Sequence, residues 1–191
     1  FPSTTLFRSG VQTANIPSMQ ESMKNGEVTT AFKSTTIADG IAVKTPGDVT
    51  FEIINELVDE VVVVEEDEIA QGMLFLMENQ KVVAEGAGAV TTAALLSGKY
   101  VPKKDENVVC VISGGNVDVN TLYRVIGTAL TKEARRYSFN TVIQDKPGGL
   151  AELTKIISEY DANILSANLS RSSMGGALGS LTAEMVLETF N

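Results

Sequence analysis

From residue 10 onward the chain alternates between two hydrophobic periods, and each period predicts its own kind of element. Pro17-Ser18 leads into Met19 to Lys24, which predicts a short helix stopped by Asn25-Gly26. Phe51, Ile54, Leu57 and Val58 recur at helical spacing, and Val61 to Val64 is an all-apolar run of buried-strand type. The acids at 65–68 suit the start of the next helix, whose Ile69, Met73, Leu76 and Met77 share a face. That cluster reads as helix capping rather than as a metal site. Glu85-Gly86-Ala87-Gly88-Ala89 opens a small-residue helix running to Leu96 and closed by Gly98. Val108 to Ile112 is a second β-branched-rich apolar run, the pattern of a parallel strand buried on both faces. It ends in Ser113-Gly114-Gly115-Asn116, at the carboxyl end of a strand, where open α/β sheets bind ligands. The same four residues also fit an ordinary strand-to-loop turn. Leu122 to Arg135 predicts a further helix, with Lys132, Arg135 and Arg136 at the end its dipole favours. Strands alternating with helices predict a parallel α/β layer.

At Tyr137 the character changes. Phe139, Thr141 and Ile143 alternate with other residues as in a strand, and Asp145-Lys146-Pro147-Gly148-Gly149 ends it. Leu150, Leu153, Ile156 and Ile157 form a helical face to about Tyr160. Asn163 to Leu169 and Leu181 to Leu187 predict two more strands joined through Gly175-Gly176. The order β-α-β-β is that of an incomplete ferredoxin-like unit.

Composition narrows the function. With 43% hydrophobic and 20% charged residues over 191 positions, the chain is globular, with material for one ordinary domain or two small ones. A net charge of −9 without a basic run argues against nucleic acid and anionic membranes as partners. No apolar run approaches the roughly 20 residues that span a bilayer. The lone Cys110, inside an apolar run, predicts a packed thiol in a reducing compartment. With no histidine, a Ser-His-Asp triad and the commonest zinc ligand are ruled out, so chemistry must come from carboxylates, a cofactor or residues outside this sequence. Residues 1–9 lack the basic start and apolar core of a signal peptide. Their T-T-L-F-R-S string reads as translated adapter, so they are set aside as a non-native scar.

Four motifs in order, G-V-Q (10–12), T-I-A-D-G-I-A-V (36–43), E-G-A-G-A (85–89) and S-G-G-N (113–116), together resemble the C-terminal half of threonine ammonia-lyase catalytic domains. These are fold-type II pyridoxal-phosphate enzymes, related to serine racemase. Residues 135–191, with D-K-P-G-G-L (145–150) and D-A-N-I (161–164), resemble the ACT regulatory domain appended to many of them. The resemblance implies an α/β fold: a parallel-sheet catalytic fragment over 10–134, then a truncated α+β ACT domain. It also implies a cytoplasmic lyase that converts L-threonine, and L-serine more weakly, to a 2-oxo acid and ammonia. Ser113 inherits the hydrogen bond to the cofactor's pyridine nitrogen, with Gly114 beside it. A hydroxyl there is compatible with a neutral ring, a milder electron sink than an aspartate partner would make. Asp39 and Gly40 face cofactor and substrate. Glu85 reads equally as a brace for the site or as an acid at a helix start.

The departures also carry information. The family's cofactor-attaching lysine and glycine-rich phosphate loop belong to sequence upstream of Gly10. Lys33, in A-F-K-S-T, echoes the lysine motif only superficially. This stretch alone is therefore expected to be catalytically inactive. The divalent-metal site of serine racemase falls on Gln12 and Ser18, poor hard-cation ligands, so no metal is expected. In the ACT-like part, resemblance places a small amino-acid effector, branched-chain or none, at Asp145, Pro147, Gly148, Gly149 and Leu150. Pro147 suits a first helical turn, and free amides would hold the effector carboxylate. Asn163 and Ile164 would meet it from the same subunit or from the partner of a dimer or tetramer. A stand-alone effector-binding, dimerising module and a racemase-like enzyme are the alternative readings.

Overall fold

The computed structural model describes residues 6–32, 35–171 and 179–189, which fall into two compact units dividing after Ala129. Lys33 and the Gly175-Gly176 connection lie outside the described residues.

The first unit begins with β1 (Ser9–Thr13) and α1 (Ser18–Asn25), the latter ended by Gly26 in the left-handed conformation at φ 74°. Its amide closes onto the Ser22 carbonyl, the C-terminal device that Asn25-Gly26 predicts. A single 3₁₀ turn at Asp39–Ile41 precedes α2 (Asp48–Leu57) and β2 (Glu60–Val64). β1 and β2 pair in parallel, Ser9 opposite Glu60 through Thr13 opposite Val64. Sequence reasoning leaves residues 1–9 out of the fold, yet Arg8 and Ser9 take part in it. The Arg8 amide donates to the Asp59 carboxylate at 2.7 Å, and Ser9 enters the ladder.

Next come α3 (Glu66–Phe75), a π turn (Leu76–Gln80) and α4 (Gly86–Leu96). The acids before α3 do cap it: Glu65 and Glu68 form a reciprocal capping box. α4 is buried almost all round, as its small apolar residues require. α3 can lie close to it because Gly72 has no side chain. A Cβ there would stand 3.0 Å from the Ala89 carbonyl oxygen and 3.1 Å from the Ala93 nitrogen. Ile16, Val64, Ile69, Met73, Ala89 and Ala93 form the inner layer.

One expectation fails here. The 107–112 run makes no ladder with another strand among the described residues, and it is not buried on both faces. Val109 is 86% and Val111 68% exposed. A central parallel strand needs a neighbour on each edge, and among the described residues no strand pairs with this segment. Thr91 donates to the Val111 carbonyl at 3.2 Å. Cys110, expected to be packed in a core, is only partly buried for the same reason. Helix α5 (Val119–Lys132) follows.

The second unit holds β3 (Arg136–Gln144), α6 (Gly149–Glu159), β4 (Asn163–Ser170) and β5 (Ser180–Glu188). The strands form one antiparallel sheet in the order β3-β5-β4. Leu181, Ala183, Met185 and Leu187 alternate inward along β5, the period of two that the sequence displays. Ile157 and Leu153 of α6 pack on them together with Phe139 and Ile143 of β3. β4 is exposed throughout.

Candidate active site

The wall of the candidate site is the start of α4. Three glycines let other backbone touch it. A Cβ on Gly86 would overlap the Ile37 carbonyl and come within 2.9 Å of the Ala38 nitrogen. A Cβ on Gly88 would lie 2.5 Å from the Ser113 carbonyl oxygen and 2.8 Å from that of Gly114. Gly114 itself, at φ 88°, rests on the Glu85 carboxylate, which a Cβ would meet at 2.6 Å. Segments 37–40 and 113–116 are thus held on one short stretch of helix, although more than seventy residues separate them in sequence.

Glu85 joins the two. Its Oε2 accepts the Asn116 amide at 2.9 Å, its own amide donates to the Gly114 carbonyl at 3.3 Å, and its Oε1 is 3.2 Å from where a Gly40 Cβ would be. Although Glu85 is the N-cap residue of α4, its side chain makes no capping bond to that helix. The Glu85 carboxylate therefore bonds loop 113–116 and not the end of its own helix.

Ser113, at the carboxyl end of the 107–112 run, is an exposed residue. Asp39 and Gly40 lie in the 3₁₀ turn, also exposed, while Ala38 beneath them is fully buried. Ser113, Gly114, Glu85, Asp39 and Gly40 thus gather around the Glu85–Gly88 wall. The contact with segment 36–40 that sequence reasoning misses is that of Glu66. Glu66 reads as one of four capping acids, but its carboxylate bonds Thr13, Thr36 and Ile37 instead. Its only sequence signal is that a capping box uses two acids and leaves two over.

Gln12 and Ser18 are engaged elsewhere. Gln12 Oε1 accepts the Gln20 amide at 3.0 Å, and the Ser18 hydroxyl donates to the Val43 carbonyl at 2.5 Å.

The donor set tests what flat, anionic cofactor could sit here. Gly114 and Gly115 leave no side chain over the loop, and a Gly115 Cβ would lie 2.9 Å from the Val83 carbonyl. A bare backbone shelf with one exposed hydroxyl at its edge fits the ring-nitrogen side of pyridoxal phosphate. No lysine lies in segments 36–43, 85–89 or 113–116.

The chain matches the pyridoxal-phosphate dependent enzyme family over residues 2–114, more than half its length, and belongs to that family. Among curated relatives it is similar to the L-threonine ammonia-lyase of Thermotoga maritima, 48% identical over 180 residues. It is also similar to that of Geobacter sulfurreducens, 43% identical over 180 residues. Each match covers 94% of this chain but 44% of the relative, so the chain spans under half the length of these enzymes. Among solved structures it resembles the processed form of threonine deaminase isoform 2 from Solanum lycopersicum. That match has a TM-score of 0.59 at 30% identity, covering 66% of this chain and 37% of that one.

In the second unit the proposed effector residues fall into two groups. Helix α6 starts at Gly149, after Gly148 at φ 92°, so Pro147 precedes the helix instead of occupying its first turn. Gly149 is buried against the Gln144 carbonyl, and Leu150 follows it into the helix. Asp145 is held by a two-toothed bond from Arg171, Nε to Oδ2 at 2.7 Å and Nη2 to Oδ1 at 3.0 Å. That pairing holds the Asp145 carboxyl below the usual carboxylate range. Asn163 and Ile164 are elsewhere. Asn163 pairs with Glu188, which pairs with Arg136, whereas Asp145 follows Gln144 at the far end of β3. Eight residues of strand put the two groups about 25 Å apart. They do not meet within one subunit. Asn163 instead donates to Glu188 at 3.1 Å.

Proposed function

We propose that this chain is the part of a pyridoxal-phosphate-dependent threonine ammonia-lyase that seats the ring-nitrogen edge of the cofactor. The observation that carries the reading is the seating of segments 37–40 and 113–116 on one wall, Glu85–Gly88, with Ser113 exposed beside them. The names of the relatives supply the substrate class. When bound, pyridoxal phosphate supplies the electron sink that makes the substrate α-proton removable and the β-hydroxyl a leaving group. Ser113 would hold the ring nitrogen as a neutral hydrogen-bond partner. Gly114 and Gly115 keep the backbone close, and Glu85 fixes the loop that carries them. Asp39 and Gly40 border the substrate side. The net reaction takes L-threonine to 2-oxobutanoate and ammonia, or L-serine to pyruvate and ammonia.

The second unit supports an ACT reading, through its β-α-β-β order and the helix packed on β3 and β5. Its effector, if it has one, would be a small amino acid, branched-chain if the enzyme serves isoleucine formation. Its carboxylate would meet the amides at the start of α6. Because Asn163 and Ile164 lie at the other end of the sheet, they reach that ligand only from the partner of a homo-oligomer. Among the described residues no helix is long and apolar enough to cross a membrane, and the reading places the enzyme in the cytoplasm.

The test is 2-oxobutanoate release from threonine by the protein expressed from its complete coding sequence, with and without added pyridoxal phosphate. Cofactor-dependent release is the expected result. Pyruvate from serine alone, or D-serine, would move the assignment to a neighbouring elimination or racemisation enzyme.

A further inference from the structure

Outside the Glu85 wall, a second hydrogen-bond cluster is centred on Glu66. It is the first residue of α3, beside but not part of the capping box that Glu65 and Glu68 complete. Its Oε1 accepts the Thr13 hydroxyl at 2.8 Å and the Thr36 hydroxyl at 2.6 Å, and its Oε2 accepts the Ile37 amide at 2.7 Å. Thr13 ends β1 and is fully buried. The Thr36 hydroxyl also accepts the Ala38 amide at 3.0 Å, and Asn15 donates to the Thr35 carbonyl at 2.8 Å. One carboxylate therefore ties the end of the sheet to residues 36–38. Those residues lie directly against Gly86, and Gly40 beyond them against Ala87 and Glu85.

From this geometry we infer that Glu66 is a positioning residue: it holds segment 36–40 against the Glu85–Gly88 wall so that Asp39 and Gly40 border the cofactor. The inference rests on the proposed cofactor site, but the clamp itself is a statement about residues 36–40. A carboxylate suits the task because it only accepts, and it faces three donors. A glutamine is a poorer match: if its oxygen takes the Ile37 amide, its NH₂ faces the Thr13 and Thr36 hydroxyls, whose oxygens already accept the Asn15 and Ala38 amides, and both hydroxyl hydrogens lose their charged acceptor. Loss of a bond to a charged acceptor corresponds to about a 10- to 100-fold change in the equilibrium it supports.

The experiment compares wild type, Glu66→Gln, Glu66→Asp and Thr36→Val, each expressed from the complete coding sequence. Amide hydrogen exchange is read on the protein without cofactor. Pyridoxal-phosphate affinity, visible circular dichroism per bound cofactor, and kcat and KM for threonine are read on the loaded protein. Glu66→Gln is expected to speed exchange across 36–40 about 10-fold or more while peptides over β2 and α4 keep their rates. Cofactor affinity and dichroism should fall together, with Thr36→Val showing a smaller version and Glu66→Asp partial recovery. Faster exchange spread evenly over β1, β2 and α3 would make Glu66 a brace of the fold only and overturn the inference. Unchanged exchange at 36–40 would overturn it too. If wild type neither binds pyridoxal phosphate nor deaminates threonine, the proposed function fails, while the exchange pattern still decides the clamp.

Discussion

Replacing Gly114 by alanine tests the contact on which the site depends, and its effect can be worked out from two separate terms. Gly114 sits at φ 88°, a conformation that costs an L-residue about 1–2 kcal/mol. The added methyl would also meet Glu85 at 2.6 Å from Oε1 and 2.9 Å from Cδ. Forcing a methyl into filled space costs about 1–3 kcal/mol more. Gly26 provides the control. It has φ 74°, and a Cβ added there would meet nothing within 4 Å, so Gly26→Ala carries only the conformational term. The difference between the two variants is the packing term. At about 2–4 °C per kcal/mol for a domain of this size, Gly114→Ala should melt about 2–12 °C below Gly26→Ala. Thermal unfolding followed by circular dichroism measures it. Adding Glu85→Ala removes the obstructing carboxylate, so the double variant should lose less than the sum of the single losses. Equal melting of Gly114→Ala and Gly26→Ala, together with an additive cycle, would show that loop 113–116 does not rest on Glu85, and the proposed site would fail with it.

Other consequences can be checked in the same way. Gly86→Ala drives a methyl into the Ile37 carbonyl, so it should destabilise at least as much as Gly114→Ala and weaken pyridoxal-phosphate binding, read by equilibrium dialysis. Ser113→Ala changes an exposed residue, so stability should stay within about 0.5 kcal/mol while cofactor-dependent threonine deamination falls; an undiminished rate would remove Ser113 from the site. Met185→Ala hollows the second unit at a fully buried position, at a cost of about 2–5 kcal/mol. For so small a unit that is most of its stability, and loss of dispersed amide NMR signals from 136–188 would report it. Asp145, held low by Arg171, has a folded-state pKa below its unfolded one. Its contribution is therefore present above the ordinary carboxylate value near about pH 4 and disappears as pH falls through the depressed value. Arg171→Ala should raise the Asp145 midpoint toward the ordinary range in a carboxyl-carbon NMR titration.

How much was legible in the sequence depends on whether a feature is local. The helices could be read because their signals lie within a few residues: Asn25-Gly26 ends α1, Glu65 and Glu68 cap α3, and small residues with Gly98 bound α4. β2 and β5 carry their own apolar patterns, so their existence followed as well. Pro147 suits a first helical turn by its fixed φ, but α6 starts two residues later, after Gly148 in the left-handed conformation. The motifs of the candidate site were legible too, because glycines at 86, 88, 114 and 115 mark places where backbone must come close.

What the sequence could not supply was which backbone comes close to which. That 37–40 and 113–116 share the wall of α4, that Glu85 turns from its own helix to Asn116, and that Glu66, beside the capping box, bonds Thr13 and Thr36 are long-range facts decided by packing. The 107–112 run shows the same limit in reverse. Its composition satisfies a buried strand, but a strand exists only when another backbone takes its hydrogen bonds. The register that sets Asn163 far from Asp145 is likewise a property of paired strands, since only the ladder through β5 decides which ends meet. By itself the sequence determined local conformation, the period of burial and the chemistry on offer. Only the tertiary structure decided adjacency, because adjacency is the sum of many weak contacts between residues that carry no mark of one another.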